Sequence, residues 1–305
     1  MLSFILKRLL WGIPVLLTVA TITFIVMHIV PGGPFDKEKK LPPEIKANVE
    51  AKYHLDRPIY EQYLLYLYGL SKGDLGPSYK YLGRDVKDII RESLPVSIEL
   101  GLLALLISII LGISTGIVSA IRPGSILDRI SVFSSVAGIS IPNFVLGALL
   151  VLVFAHIYKV LPPALWEGWR YMILPALSLG LAPAAYIARL TRSSILDVIN
   201  KDYIRTARAK GLSEPYIIMR HVLINSIMPV ITILGPITAT LVTGSFTVEF
   251  IFSIPGMGKF FITAVTNRDY PLIMGVTLIY AILIIVANII VDLIYGFVDP
   301  RIRLE

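Results

Sequence analysis

The feature that most constrains this chain is the length of its uninterrupted apolar runs. From residue 9 to residue 30 there is no Asp, Glu, Lys or Arg, and a run of about 18 or more apolar residues reads as a membrane-crossing helix. Six such runs are present, at residues 9–30, 96–120, 131–158, 171–188, 222–246 and 272–298; the fourth is short and holds Pro175, Gly180 and Pro183. The first is too long for the apolar region of a signal peptide, and no small-residue cleavage site precedes Pro31, so it is expected to persist as a span. With 55% apolar residues, 16% charged and a mean hydropathy of +0.76, too few charged groups remain to coat a water-soluble enzyme. The absence of cysteine excludes a disulfide-stapled fold. The expected fold class is therefore all-α: a polytopic membrane protein of six transmembrane helices with a small helical extracytoplasmic domain.

Basic residues orient the spans. The N-terminus, the loop after the second span, segment 189–221 and the C-terminal tail together hold 13 Lys and Arg, against 4 in the short loops of the opposite side. Both termini are accordingly expected in the cytoplasm. The long outer loop 31–95 carries 11 basic and 10 acidic residues, and loops of that length escape the rule. The net charge of +7 thus collects on no single unopposed face, and nucleic acid is not an expected partner.

That outer loop reads as a folded cap. Ile45, Val49 and Tyr53 fall at helical spacing, residues 58–70 hold Tyr60, Tyr63, Tyr66 and Tyr68, and residues 84–94 repeat an amphipathic pattern through Val86, Ile89, Ile90 and Leu94. These helices either pack on one another and on the membrane, or present tyrosines to an external partner.

Catalytic signatures are missing. No phosphate-cradling G-x-x-x-x-G-K-[ST] and no G-x-S-x-G elbow occur, and His28, His54, His156 and His221 are scattered. Within the spans, Glu99 and Asp292 lie near helix ends and read as structural anchors. Transport without catalysis is the remaining class.

The cytoplasmic loop after the fourth span is the most informative stretch. Asp202 is expected to cap a short helix over 203–210, Gly211 to end it with positive φ, and Ser213 with Pro215 to start the next. The result is a stiff rod lying across the membrane face, whose small side (Thr206, Ala207, Ala209) and basic flanks suit a groove on another protein.

Here the chain resembles the permease subunits of binding-protein-dependent ABC importers, most closely the first permease subunit of the oligopeptide/dipeptide branch. Arg205-Thr206-Ala207-Arg208-Ala209-Lys210-Gly211 aligns with that family's E-A-A-x-x-x-G loop, with Arg205 and Thr206 in place of Glu and Ala. The likeness extends through Phe4-Ile-Leu-Lys-Arg-Leu-Leu10, Pro31-Gly-Gly-Pro34, Lys52-Tyr-His-Leu55, Gly73-Asp-Leu-Gly-Pro-Ser78, Phe246-Thr-Val-Glu-Phe-Ile-Phe-Ser-Ile-Pro-Gly-Met-Gly258, Asn267-Arg-Asp-Tyr270 and Val298-Asp-Pro-Arg301.

The resemblance implies a type I importer permease fold, with residues 1–95 forming the first span and outer loop, 96–298 the permease domain and 299–305 a cytoplasmic tail. It implies a multi-pass subunit of a bacterial or archaeal cell membrane, paired with a homologous second permease. Two ATP-binding subunits would sit beneath and a peptide-binding protein outside. The chain would need no cofactor of its own, ATP and Mg being bound by the partner ATPases. Arg205, Thr206, Ala207, Arg208, Lys210 and Gly211 would couple to an ATPase.

For the pathway itself, Thr240, Thr243 and Ser245 belong to a hydroxyl-rich stretch of the fifth span, and Glu249, Pro255 and Gly256 to a re-entrant turn on the outer face. Each hydroxyl could equally bond its own helix. Gly112-x-x-x-Gly116 is expected to allow close helix packing. The alternatives are a related importer for nickel or another small solute, and a stand-alone secondary transporter, which would need coupling-ion residues and internal repeats.

Overall fold

The computed structural model describes residues 2–31, 33–35 and 53–298, and no strand is present among them. Its helices are α1 (Leu2–Ile29), α2 (Ile59–Ser71), α3 (Val86–Ile121), α4 (Ile126–Ser140), α5 (Asn143–Leu150, continued by π-helical turns through Val151–Ile157), α6 (Trp169–Ile199), α7 (Asp202–Ala209), α8 (Glu214–Ile217), α9 (Leu223–Ser226), α10 (Met228–Val242), α11 (Phe246–Ile251), α12 (Met257–Asn267) and α13 (Tyr270–Val298). Five helical stretches are long and apolar enough to cross a bilayer, and α4 with α5 makes up to a sixth. The expected helix near residues 45–49 and the tail 299–305 lie outside the described residues.

Three elements differ from the sequence reading. The third span is not one rod: α4 and α5 meet at 112°. The residue before proline is driven out of the helical region, and Ile141 (ψ 122°) and Pro142 (ψ 140°) are both extended. The amphipathic segment 84–94, expected as a separate cap helix, instead continues without a break through Pro95 into the second span, giving a helix of 36 residues, about 54 Å long. The division expected at residue 95 therefore falls inside a single helix. The fifth span starts only at Met228, where Pro229 occupies the first turn, the position at which its missing N–H costs least.

The fourth span is longer than its apolar run. α6 passes intact through Pro175 and Pro183 and extends past the apolar segment to Ile199. A proline inside a membrane helix is tolerated when neighbours satisfy the freed carbonyls. A separate polar contact reaches this stretch from α3, where the Ser108 hydroxyl donates to the Gly180 carbonyl at 2.8 Å.

α3 and α6 run parallel and in close contact. Gly180 faces Ala104, Gly112 faces Ala184 and Ile187, and Gly116 faces Ala188 and Thr191. A methyl group at Gly112 would lie 2.6 Å from Ile187 Cβ, so the small residues set the helix separation, as their spacing led one to expect. α1 lies at the periphery, with Leu10 and Trp11 exposed. Arg8 on α1 pairs with Asp292 of α13 at 2.7 Å, which gives Asp292 the anchoring role expected of it.

At the other end of the bundle, Phe24 of α1 packs against Tyr63 and Tyr66 of α2 with ring centroids 5.2 and 6.0 Å apart. The Tyr63 hydroxyl lies 2.6 Å from Thr21 Oγ1. Two of the four tyrosines in this stretch are thus committed to packing, while Tyr60 and Tyr68 stay exposed. Asp269, fully buried, accepts hydrogen bonds from the Ser78 hydroxyl and from the N–H groups of Tyr79 and Lys80. It fixes the loop before α3 to the head of α13.

Candidate coupling helix and outer turn

α7 is held by its own chain along one side. Ile204 and Ala207, three residues apart and so on one face, pack with Ala120, Ile195, Ile217 and Val222 in a small apolar core. Lys201 rather than Asp202 is the N-cap, without a side-chain bond; Asp202 is the first helical residue. Ser213 caps α8 by position but likewise without a side-chain bond. Gly211 has φ +76°, the left-handed conformation expected of it. Beyond it the chain turns back, and the Arg208 Nε donates to Glu214 Oε1 at 2.6 Å. That guanidinium holds the Glu214 carboxyl below its ordinary range.

The consequence for the expected partner contact is a change of face. Ala207 is 7% exposed and belongs to this chain's own core, so it cannot enter a groove elsewhere. Arg205, Thr206, Arg208, Ala209, Lys210 and Gly211 are exposed. With them stand Tyr203, Leu212, Tyr216 and Met219, also exposed, which residue patterning within the loop did not single out. The signal was present: Ile204 and Ala207 form the only apolar stripe of the rod, and the side opposite it is the free one.

The outer turn is built around Glu249. Its carboxylate is fully buried; Oε1 accepts the Ser97 hydroxyl of α3 at 2.8 Å and Oε2 the Gly258 N–H at 2.7 Å. Ser97 Oγ in turn accepts the Met257 N–H at 2.9 Å, and the Glu249 carbonyl accepts the Ile254 N–H at 2.8 Å. Gly244 (φ +82°), Gly256 and Gly258 close round this carboxylate so tightly that a Cβ on any of them would strike it. Ser245 caps α11 through the Val248 N–H, and Pro255 is exposed at the tip. Thr240 and Thr243 each donate to a carbonyl one turn back in α10, Pro236 and Ala239, at 2.9 and 3.0 Å. The structure therefore brings Ser245, Glu249, Pro255 and Gly256 into one turn and leaves the two threonines bonded along α10. Ser97, 152 residues from Glu249, is the member of this cluster that sequence reasoning missed.

A cavity of about 300 Å³ opens between α3, α4 and α6, lined in part by Thr115, Ser119, Ser131, Ser135 and Ser193 with Arg189 and Arg192. Its hydroxyls come from α3, α4 and α6 rather than from the fifth span. Among the described residues no group of three or more His, Cys, Asp or Glu is placed to hold a metal ion.

A bundle of bilayer-length apolar helices, joined between its fourth and fifth spans by a short exposed rod, defines a multi-pass membrane protein. The chain belongs to the binding-protein-dependent transport system inner membrane component family, whose profile matches residues 108–304; the N-terminal profile of the same membrane components matches residues 1–101. It is 45% identical over 305 residues to the dipeptide transport system permease protein DppB of Bacillus subtilis, covering 100% of this chain and 99% of that one. It is 46% identical to the oligopeptide transport system permease protein OppB of Haemophilus influenzae and 44% to that of Escherichia coli, each over 99% of this chain and 100% of the relative. Among solved structures, the MetNI methionine ABC transporter in an inward-facing conformation superposes with a TM-score of 0.56 at 16% identity, covering 69% of this chain and 96% of that one. This likeness establishes the ABC importer permease fold. The chain is thus a multi-pass inner-membrane transport subunit that works with ATPase and substrate-binding partners.

Proposed function

We propose that the chain is the transmembrane permease subunit of an ATP-driven importer of oligopeptides or dipeptides, forming half of the translocation pathway beside a homologous second permease. Two ATP-binding subunits sit beneath it, a peptide-binding protein delivers cargo from outside, and both termini lie in the cytoplasm. The peptide assignment is supported by full-length identity of 44–46% to relatives named as peptide permeases.

The observation that carries the coupling is the two-sided character of α7. Its inner face is locked to the core through Ile204 and Ala207, while Tyr203, Arg205, Thr206, Arg208, Lys210 and Gly211 are exposed beside Tyr216 and Met219. A rod fastened on one side and open on the other passes an applied displacement to the spans, which a floppy loop would absorb. The ATPases seat on the open side, and their closure on ATP turns the pathway outward. Cargo meets hydroxyls along the wall of the α3, α4 and α6 cavity and passes the outer turn at Ser245–Gly258.

The test is uptake of labelled peptide into vesicles by the full assembly. ATP-dependent accumulation that also needs the binding protein is the expected result. Uptake that ignores ATP and collapses with an ion gradient would overturn the reading in favour of a secondary transporter.

A further inference from the structure

α3 joins the two ends of the molecule. Its cytoplasmic end supplies Ala120 to the core on which α7 rests. Near its outer end, Ser97 sits inside the turn that follows the fifth span. No loop interrupts the 36 residues of this helix, and along its length it is pressed to α6 by the Gly112 and Gly116 contacts.

At the outer end the attachment is double. Gly101 lies so close to α10 that a Cβ there would strike the Leu241 carbonyl. One turn earlier, Ser97 donates to Glu249 and accepts from the Met257 N–H, so a single hydroxyl links α3 to α11 and to the start of α12. Glu249 completes the link by accepting from Gly258. Among the described residues, the polar partners of this carboxyl group are a hydroxyl and backbone N–H groups. Its Oε2 lies at the N-terminus of α12, where the Gly258 N–H points at it.

We propose that Ser97 and Glu249 are positioning residues that make the outer turn follow α3, so that displacement of α7 at the cytoplasmic face reaches the external mouth of the pathway through one helix. The proposal rests on the importer reading above and adds to it the residues that carry movement outward. Without this tie the spans would still assemble, because Leu100, Ala104, Leu174 and Leu241 form an apolar core in which Val248, Phe252 and Ile254 of the turn also sit; the tie adds the directional polar link from α3 to the Met257 end of the turn. The turn would then no longer report the state of the motor.

The chain has no cysteine, so Ser253→Cys, at an exposed position of the turn, gives a single-site reporter. In the complete transporter in vesicles, its rate of labelling by a membrane-impermeant maleimide is compared without nucleotide and with vanadate-trapped ATP. The parent should show a difference of about fivefold or more, the low end of typical coupling between sites. Adding Ser97→Ala or Glu249→Gln should bring the ratio near one, with copurification of the ATPases and basal ATP hydrolysis retained. The double variant should do no more than either single one, since both act through the same tie. Ser97→Thr, which keeps the hydroxyl, should restore part of the response.

A nucleotide response that survives Ser97→Ala or Glu249→Gln overturns the proposal. So does a flat ratio in the parent with ATPases bound and peptide imported, which leaves the importer reading standing. Failure of the parent to bind ATPases or to import peptide overturns that reading, and the proposal with it.

Discussion

Arg192 of α6 grips Asp128 at the start of α4 through two parallel hydrogen bonds, Nε to Oδ1 at 2.7 Å and Nη2 to Oδ2 at 2.9 Å. The same carboxylate accepts the Gly124 N–H at 2.8 Å and the Ser119 hydroxyl at the end of α3. Three helices are thereby joined at one anion, immediately above the core that carries α7. Arg suits the position because its planar fork meets both carboxylate oxygens at once, which a lysine cannot do.

Asp128→Ala should therefore leave a half-buried guanidinium without its partner, and Arg192→Ala a buried carboxylate without its own. Each is expected to lower the melting temperature of the purified subunit in detergent. The double variant should melt above the value obtained by adding the two losses, because removing both charges avoids the unpaired one. Additive losses would show that the two side chains act independently.

The two sides of α7 make a paired prediction. Ala207→Leu forces a larger side chain into the core formed by Ala120, Ile195, Ile204, Ile217 and Val222, and overpacking of this kind costs about 1–3 kcal/mol. The subunit should lose thermal stability before it loses any partner. Tyr203→Ala and Arg205→Glu, on the free side, should leave the melting temperature unchanged and reduce capture of the ATPases by about fivefold or more, measured by copurification. If Ala207→Leu left stability intact and abolished capture, α7 would face the other way.

How legible this was in the sequence depends on the range of the interactions involved. Five of the six spans are read from composition alone, since a bilayer demands apolar length and tolerates little else. The Gly112–Gly116 contact and the positive φ of Gly211 follow from local spacing, because each is decided within one or two turns. What sequence order hides is partnership at distance. Nothing near Glu249 names Ser97 as its donor, and nothing near Asp128 names Arg192, 64 residues away. Pro142 shows a different limit: proline bends a helix in one setting and ends it in another, so Pro175 and Pro183 stay helical while Ile141 and Pro142 turn the chain by 112°. Only the packing around each decides between these outcomes. The face of α7 follows a simpler rule: the Ile204–Ala207 stripe, not the small residues as a group, packs into the chain's own core and leaves the opposite side open.

The Arg208–Glu214 pair closes the turn after α7 and gives it a pH dependence. The folded carboxyl titrates below its ordinary 4.5, so the contribution of the pair is present above that value and is lost as pH falls through the depressed one. Backbone hydrogen exchange at 209–215 in the assembled transporter should rise for Glu214→Gln relative to the unaltered chain at neutral pH, and the two should converge in acid. A difference that persisted below the depressed value would assign the stiffness of this turn to something other than the ion pair.

Gly211 is the sharpest test of the rod. A Cβ there would meet nothing within 4 Å, yet φ is +76°, so the cost of substitution is conformational and not steric contact with neighbours. Forcing a β-branched residue into the left-handed region costs about 1–2 kcal/mol, enough to favour another path for the chain at this exposed turn. Gly211→Val should therefore insert and fold, since no core residue is touched, while uptake-coupled ATP hydrolysis falls about tenfold as the orientation of α7 relative to its partner is lost. Gly211→Asn should retain most of the coupling, because asparagine accepts positive φ. Gly124→Val provides the comparison: it has the same φ of +76° and equally open surroundings, but lies in the turn between α3 and α4, where its N–H serves the Asp128 junction instead of α7. If both valine variants uncouple equally, the defect lies in general loosening of the cytoplasmic face; if neither does, the termination of α7 at Gly211 has no part in coupling.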